Sequence, residues 1–288
     1  MNEVLKIKNL KKTYPDFQLK NINLSIKEGC ITGFIGINGA GKTTTIKSVL
    51  GLNNIDSGEI YFWNQNFKEN SSEIKNRIGV VLGENCFYEE LTILEMKKII
   101  APAYSKWNER EFNCYMGQFA LNPKQQIATL SKGMKMKLAL AMALSHSADL
   151  LIMDEPTNGL DPLIRKQLLD TLVEYMKNDN SKSVFFSTHI TSDLDKVADE
   201  LILIDNGQII FNKNKNTLVE ENKIVKGDSR FLNDKNIKLF KSMQITGFSF
   251  RGLTCNINAV RSDIKDIVIE TPTIEDIMLG YIEINNQK

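Results

Sequence analysis

Residues Gly36-Ile37-Asn38-Gly39-Ala40-Gly41-Lys42-Thr43 fit the pattern G-x-x-x-x-G-K-[ST], the phosphate-binding loop. The chemistry explains the spacing. Backbone N–H groups must converge on phosphate oxygens, and glycine permits the close approach and the unusual dihedrals this requires. The helix expected to follow, Lys42 to Leu50, points its positive end at the phosphates. Lys42 supplies a mobile cation to the β and γ phosphates, and the Thr43 hydroxyl reaches Mg²⁺. A second cluster, Asp149-Leu-Leu-Ile-Met-Asp154-Glu155-Pro156, reads as a buried strand with two carboxylates at its C-terminal end, where open α/β sheets bind ligands. Asp154 is placed to hold Mg²⁺ directly or through water, and Glu155 to orient and deprotonate an attacking water. In Leu130-Ser131-Lys132-Gly133-Met134, Ser131 is a helix cap, and the first-turn N–H groups form an anion site. Lys132, Lys135 and Lys137 are unfavourable at a helix N-terminus without an anion nearby. His189 follows the apolar run Val184 to Phe186 and is a candidate γ-phosphate contact.

The elements that must position these groups follow from hydrophobic period. Val4 to Lys8 and Ile22 to Ile26 alternate and read as strands with one wet face, suited to an antiparallel edge layer. Cys30 to Ile35 is apolar and leads into the phosphate loop. Glu59 to Trp63 and Arg77 to Leu82 are further β-like runs. Leu91 to Ile100, Asn108 to Ala120 and Ser131 to Ala143 are helical, with Asn108 and Glu111 spaced as a capping box. Leu150 to Met153 and Val184 to Phe186 are apolar throughout, as in a parallel sheet covered on both faces, with a helix from Pro162 to Met176 between them. Asn206-Gly207 between Leu201–Asp205 and Gln208–Phe211 signals a hairpin. A polar stretch then leads to a small α+β appendage, with a capped helix expected near Thr271 to Met278.

Composition narrows the function classes. The chain has 288 residues, 36 basic and 35 acidic, for a net charge of +1, which argues against a basic nucleic-acid arm or a disordered chain. Cys30, Cys86, Cys114 and Cys255 are scattered, with no C-x-x-C pair and two histidines in all. That pattern suits reduced thiols in a cytosol rather than zinc or a disulfide framework. No signal peptide is read at the N-terminus. No run of about 18 apolar residues is present, so a spanning segment is not expected.

Taken together, these pieces resemble the nucleotide-binding subunit of ATP-binding cassette (ABC) transporters, over about residues 1 to 212. The phosphate loop, the Leu-Ser-x-Gly-x motif, the Asp154-Glu155 strand, the Gly159-Leu160-Asp161 loop and Ser187-Thr188-His189 occur in the family's order. Lys132 and Met134 within the Leu-Ser motif look like the bacterial ABC-2 type exporter ATPases for drugs, antibiotics or peptides. The resemblance implies an α/β P-loop NTPase fold with a mostly parallel core sheet, an antiparallel β edge layer and a helical insert. Residues 1–216 would be the nucleotide-binding domain, with the insert at about 86–145, and 217–288 an accessory domain. It implies ATP and Mg²⁺ as cofactors, and a head-to-tail dimer with a second cassette, identical or different. Each ATP would be held by Gly36, Ile37, Asn38, Gly39, Ala40, Gly41, Lys42, Thr43 and Thr44 of one subunit, with Tyr14 stacked on adenine. Ser131 and Gly133 of the other subunit would complete the grip, with Asp161 among the nucleotide contacts. Glu155, His189 and Lys42 would be catalytic, and Thr43 and Asp154 would hold Mg²⁺. The work would pass to an integral-membrane permease on a separate chain, placing this subunit on the cytoplasmic face of the membrane, with no nucleic-acid partner.

Two departures stand out. The family usually has Leu-Ser-Gly-Gly-Gln where this chain has Lys132 and Met134 in place of two of those residues, though the N–H groups survive. After Arg77-Ile-Gly-Val-Val-Leu82 the family normally has a glutamine that touches Mg²⁺ and the membrane partner; here Gly83 and then Glu84 follow. Glycine offers no side-chain ligand, and Glu84 would substitute with a changed charge. Two other readings are a soluble ATPase of the same fold acting on ribosomes or DNA, and a catalytically slow nucleotide-binding regulator. The single cassette and the lack of basic excess weigh against the first. Gly83 is the sole support for the second.

Overall fold

The structure is a computed structural model that describes residues 2–83, 87–177, 179 and 181–286. The chain opens with β1 (Glu3–Tyr14) and β2 (Phe17–Lys27), an antiparallel pair. Both outrun the short alternating cores expected from sequence, because their polar ends ride the same ladder with one face in water. β3 (Ile31–Ile35) is buried at every position and runs into the phosphate loop and α1 (Lys42–Val49). β4 (Ser57–Phe62) and β5 (Gln65–Asn66) return to the first layer, giving the order β2-β1-β4-β5. α2 (Ser71–Asn76) and β6 (Ile78–Leu82) follow, then the three helices of the insert: α3 (Ile93–Ile100), α4 (Glu109–Gln118) and α5 (Lys132–Leu144).

The chain next builds β7 (Leu150–Asp154), α6 (Pro162–Lys177), β8 (Ser183–Thr188), α7 (Thr191–Val197), β9 (Glu200–Asp205) and β10 (Gln208–Asn214). The main sheet has the order β10-β9-β3-β8-β7-β6, with β10 antiparallel to β9 and the other neighbours parallel. β7, β8 and β9 are buried along their whole length, as strands covered on both faces must be. One cover is the antiparallel layer with α1, where Leu5, Ile7 and Ile46 meet Phe34, Ile152 and Phe185. The other is helical, where Leu138, Leu172 and Leu194 pack under Ile35, Met153 and Phe186. The remaining elements are α8 (Lys215–Glu221), β11 (Lys223–Asp228), β12 (Ser242–Thr246), β13 (Ser249–Thr254), α9 (Ile257–Asp263), β14 (Val268–Glu270) and α10 (Ile274–Asn286). They form an antiparallel sheet, β12-β13-β11-β14, with a small core of Val225, Phe250, Val260 and Ile264.

Local chemistry accounts for most boundaries. The first insert helix starts at Ile93, later than Leu91, because Thr92 and Glu95 form a complete capping box. Asn108 caps α4 by accepting from the Arg110 and Glu111 N–H groups. Its own N–H goes to Ser145 O at 2.7 Å, so the return bond from Glu111 expected of a capping box is replaced by a tie to α5. The Asn206-Gly207 hairpin forms as expected, with φ of 46° and 71°. Gly207 is bonded on both sides: its N–H donates to Ala40 O at 3.0 Å, and its carbonyl accepts from Lys20 N at 2.7 Å.

The insert meets the sheet at a buried histidine. His146 is fully buried and stacks on Tyr104, ring centroids 3.8 Å apart and 12° from parallel. Burial pushes its pKa down to about 4. Between pH 6.5 and 4 the unfolded chain binds a proton at this site and the native state does not, so stability falls as pH falls through that window. Native chain and a His146→Phe variant compared by urea unfolding at pH 7 and pH 5 should differ in their pH response. The native chain is expected to lose about 2 kcal/mol more than the variant over that interval.

Candidate functional site

Strand register brings the sequence motifs together. Ile35 pairs with Thr188 and Asp154 pairs with Ser187, so β3, β7 and β8 end at one edge of the sheet. The phosphate loop, the Asp154-Glu155 pair and His189 leave from those ends. Within the loop, Gly39 and Gly41 have φ of +82° and +113°, a region open to glycine at no steric cost. Gly36 is needed for a different reason. A Cβ there would lie 2.4 Å from the backbone carbonyl oxygen of Ile204. Ala40 N closes the loop on Ile37 O at 3.2 Å, and Thr45 N begins the α1 ladder on Gly41 O. The N–H groups of Lys42, Thr43 and Thr44 lie in the first turn, where a helix has no internal partner for them. Glycine dihedrals, free first-turn donors and the α1 dipole together make a cradle that suits a polyphosphate.

Lys42 lies in this cradle, 5% exposed. Its Nζ donates to Gly36 O at 2.7 Å and Ile37 O at 3.2 Å, and stands 3.2 Å from Glu155 Oε1. The other carboxylate oxygen, Glu155 Oε2, is 2.7 Å from His189 Nδ1 and also accepts from the His189 N–H at 3.3 Å. A carboxylate only accepts, so the His189 proton on this contact sits on Nδ1. Glu155 thus bridges a buried ammonium and an imidazole. Its backbone is in the left-handed region, φ 49°, a conformation that costs about 1 kcal/mol or more and needs outside support. Ser187 gives that support. Its Oγ and its carbonyl accept from Glu155 N at 2.9 and 3.2 Å, while the Oγ–H donates to Asp154 Oδ1 at 2.6 Å.

Lys42, Glu155 and His189 line a cleft of about 760 Å³ together with Tyr14, Asp16, Phe17, Asn38, Gly39, Gly41, Thr43, Thr44 and Asn158. Tyr14 sits at its rim, 39% exposed, with Lys12 Nζ 5.2 Å from its ring centroid. Three of the expected nucleotide contacts lie elsewhere in the chain. Ser131 caps α5 by accepting from Met134 N. Gly133 faces Ile164. Asp161 caps α6, accepting from Leu163 N and Ile164 N at 3.0 Å. Gly83 stands over the Asp154 carbonyl, which a Cβ would meet at 3.1 Å; Glu84 lies outside the described residues. Sequence reasoning passed over Ser187 as a residue with its own task, and over Asn158 and Phe17. For Ser187 the sequence offers no local signal, because only the β7–β8 register sets it opposite Asp154. Among the described residues no cluster of three His, Cys, Asp or Glu could hold a metal. Thr43 lines the cleft, and Asp154 ends β7 under the hold of Ser187; oxygen donors of this kind suit a hard divalent cation.

The ABC transporter family profile matches residues 19–158. A bacitracin transport ATP-binding protein of Bacillus licheniformis is 35% identical over 213 residues, 73% of this chain and 69% of that protein. This chain belongs to the ABC transporter ATP-binding proteins. A lantibiotic transport ATP-binding protein of Streptococcus pyogenes is 34% identical over 213 residues, covering 90% of its length. A solved ATP-binding subunit of an ABC transporter aligns with a TM-score of 0.68 at 27% identity, covering 75% of this ABC ATPase and 92% of that chain. A cassette from a Clostridium perfringens ABC transporter complex aligns with a TM-score of 0.64 at 25% identity, covering 77% and 92%. The subunit is an ATPase, and the expected α/β P-loop architecture is the one observed.

Two loop glycines should respond differently to a methyl group. Gly36→Ala places Cβ against a backbone atom that cannot move without shifting β9, whereas the Cβ position at Gly39 is open and only φ is unfavourable. Titration calorimetry with ATP should show binding weakened at least tenfold for Gly36→Ala, and a smaller loss for Gly39→Ala, near the roughly 1 kcal/mol of left-handed strain.

Proposed function

We propose that Glu155, Lys42 and His189 carry out the ATP hydrolysis of this transport ATPase, and that the chain drives the export of an antibiotic or peptide through a separate membrane permease. The single observation behind the site assignment is the bridge of one carboxylate between Lys42 and His189 inside the glycine cradle. In this reading Glu155 accepts a proton from the attacking water, because its Oε2 already faces the cleft at hydrogen-bond range of a neighbouring donor. Lys42 spreads charge from the β and γ phosphates, and His189 holds the γ-phosphate. A γ-phosphate at Lys42 would compete with Glu155 for the ammonium and release the carboxylate for water. Tyr14 offers its ring to adenine at the cleft rim. Thr43 and Asp154 would hold Mg²⁺, which would supply charge neutralisation on the phosphates.

The partners are also proposals. Ser131, Gly133 and Asp161 lie away from this cleft, which suits contact with a nucleotide held by a second cassette, identical or different. Among the described residues no helix is long and apolar enough to cross a membrane. On the likeness to transport ATP-binding proteins, a permease would be a separate chain and this subunit would sit at the cytoplasmic face. Residues 1–216, with the insert at about 86–145, would form the nucleotide-binding unit, and residues 217–288 an accessory unit. Export of an antibiotic or peptide rests on relatives named for bacitracin and lantibiotic transport. Those relatives are transport proteins, so the ribosome- or DNA-directed alternative is not favoured.

Purified protein separates the roles. Glu155→Gln is expected to bind ATP as the parent does and to lose turnover by a factor of about 10² or more. Lys42→Ala is expected to lose ATP retention itself. Steady-state hydrolysis beside equilibrium binding checks both, and undiminished turnover in Glu155→Gln would remove Glu155 from the mechanism. Isolation from membranes in mild detergent should bring a multi-span companion with it; a soluble companion alone would count against the export reading.

A further inference from the structure

The C-terminal helix α10 is fastened at both ends behind the cleft. At its start the Ile274 N–H points to Asp195 Oδ1 at 3.4 Å, on α7, the helix that begins at Thr191 just after His189. Along its length Ile274, Ile277, Met278 and Ile282 share a core with Leu194, Leu203 and Phe211, and Tyr281 meets Phe211 edge-on with centroids 5.2 Å apart. In its last turn the Asn285 amide donates to Asp205 Oδ2 at 2.8 Å. Asp205 ends β9 and is fully buried. Its Oδ2 also accepts from Asn206 Nδ2 at 3.1 Å, while its Oδ1 has no hydrogen-bond partner among the described residues. A buried carboxylate costs free energy wherever it is under-bonded. The bond from Asn285 reaches it from outside the turn and is therefore worth more than a surface contact.

What leans on Asp205 gives that bond its importance. The preceding carbonyl, Ile204 O, occupies the space a Gly36 side chain would need. Two residues on, Gly207 N donates to Ala40 O at 3.0 Å. The turn carrying Asp205 therefore touches the phosphate loop at both Gly36 and Ala40. We propose that Asn285 is a positioning residue for nucleotide binding. By fixing the Asp205 carboxylate it holds this turn, and with it the phosphate loop, in the shape that grips a triphosphate. The inference rests on the ATP-binding reading above and gives the C-terminal segment a part in setting nucleotide affinity.

The test uses the full chain and ATP as the probe, with the dissociation constant and the thermal unfolding midpoint measured on the same samples. Asn285→Ala is expected to raise the dissociation constant about tenfold. Asn285→Asp sets two carboxylates against each other and is expected to weaken binding further. The exchange Asp205→Asn with Asn285→Asp again faces one amide with one carboxylate and is expected to recover most of the lost affinity. A helix that only packs would lower the midpoint and leave the dissociation constant of the folded protein within about twofold of the parent; that result overturns the proposal. So does an exchange that recovers the midpoint and not the affinity. Should Asn285→Asp fail to fold, Asn285→Ala and the exchange decide between the same two results. A parent chain that does not bind ATP would instead sink the ATPase reading beneath it.

Discussion

One carboxylate shared between a buried ammonium and an imidazole sets the terms for the rest of this molecule. Glu155 reaches Lys42 on one side and His189 on the other, and the three residues arrive from three different strands. That convergence requires β3, β7 and β8 to be parallel, adjacent and ended in register. It in turn favours apolar residues along those strands, because both faces are covered. The left-handed backbone at Glu155 turns the side chain into the cleft instead of along the strand. Ser187 makes that conformation tolerable and at the same time fixes Asp154. A surface ion pair of the same length would contribute little; here Lys42 is buried, and losing its partners would leave a charge without compensation.

Much of this arrangement was legible in the sequence, for physical reasons. The phosphate loop is local: its glycines, lysine and threonine act within eight consecutive residues. Fully apolar strands flanked by catalytic residue types report a covered parallel sheet directly. What could not be read depends on long-range register. Nothing near Ser187 announces that its hydroxyl will brace a residue 32 positions earlier, and nothing near Asn108 shows that its N–H will be claimed by Ser145. The great length of β1 and β2 was hidden for a related reason. Their polar ends look like loop, and only the neighbouring strand supplies the ladder that extends them.

The C-terminal residues show the same limit more sharply. Their composition indicates a small α+β unit, and the sheet and its minor core agree with that. Yet α10 contributes its apolar face to the larger core, among residues of α7, β9 and β10. Thr273 and Asp276 start it with reciprocal bonds between side chain and backbone, and Asp276 also pairs with Arg251 through two hydrogen bonds of 2.8 and 2.9 Å. Asp276 and Gly280 thus set the helix against its own sheet, Gly280 lying over Leu253 and Ser242, while its apolar face also reaches α7, β9 and β10.

Gly207 carries a consequence for how the cleft can change shape. A side chain there would start 1.9 Å from the Gln18 carbonyl oxygen, and its peptide is tied to β2 on one side and to Ala40 on the other. The two walls that bear Tyr14 and the phosphate loop are thus pinned to each other through Gly207, beside the packing of Phe17 and Leu19 on Gly41. The distance from the Tyr14 ring to the loop glycines is therefore set by main-chain contacts and not by mobile side chains.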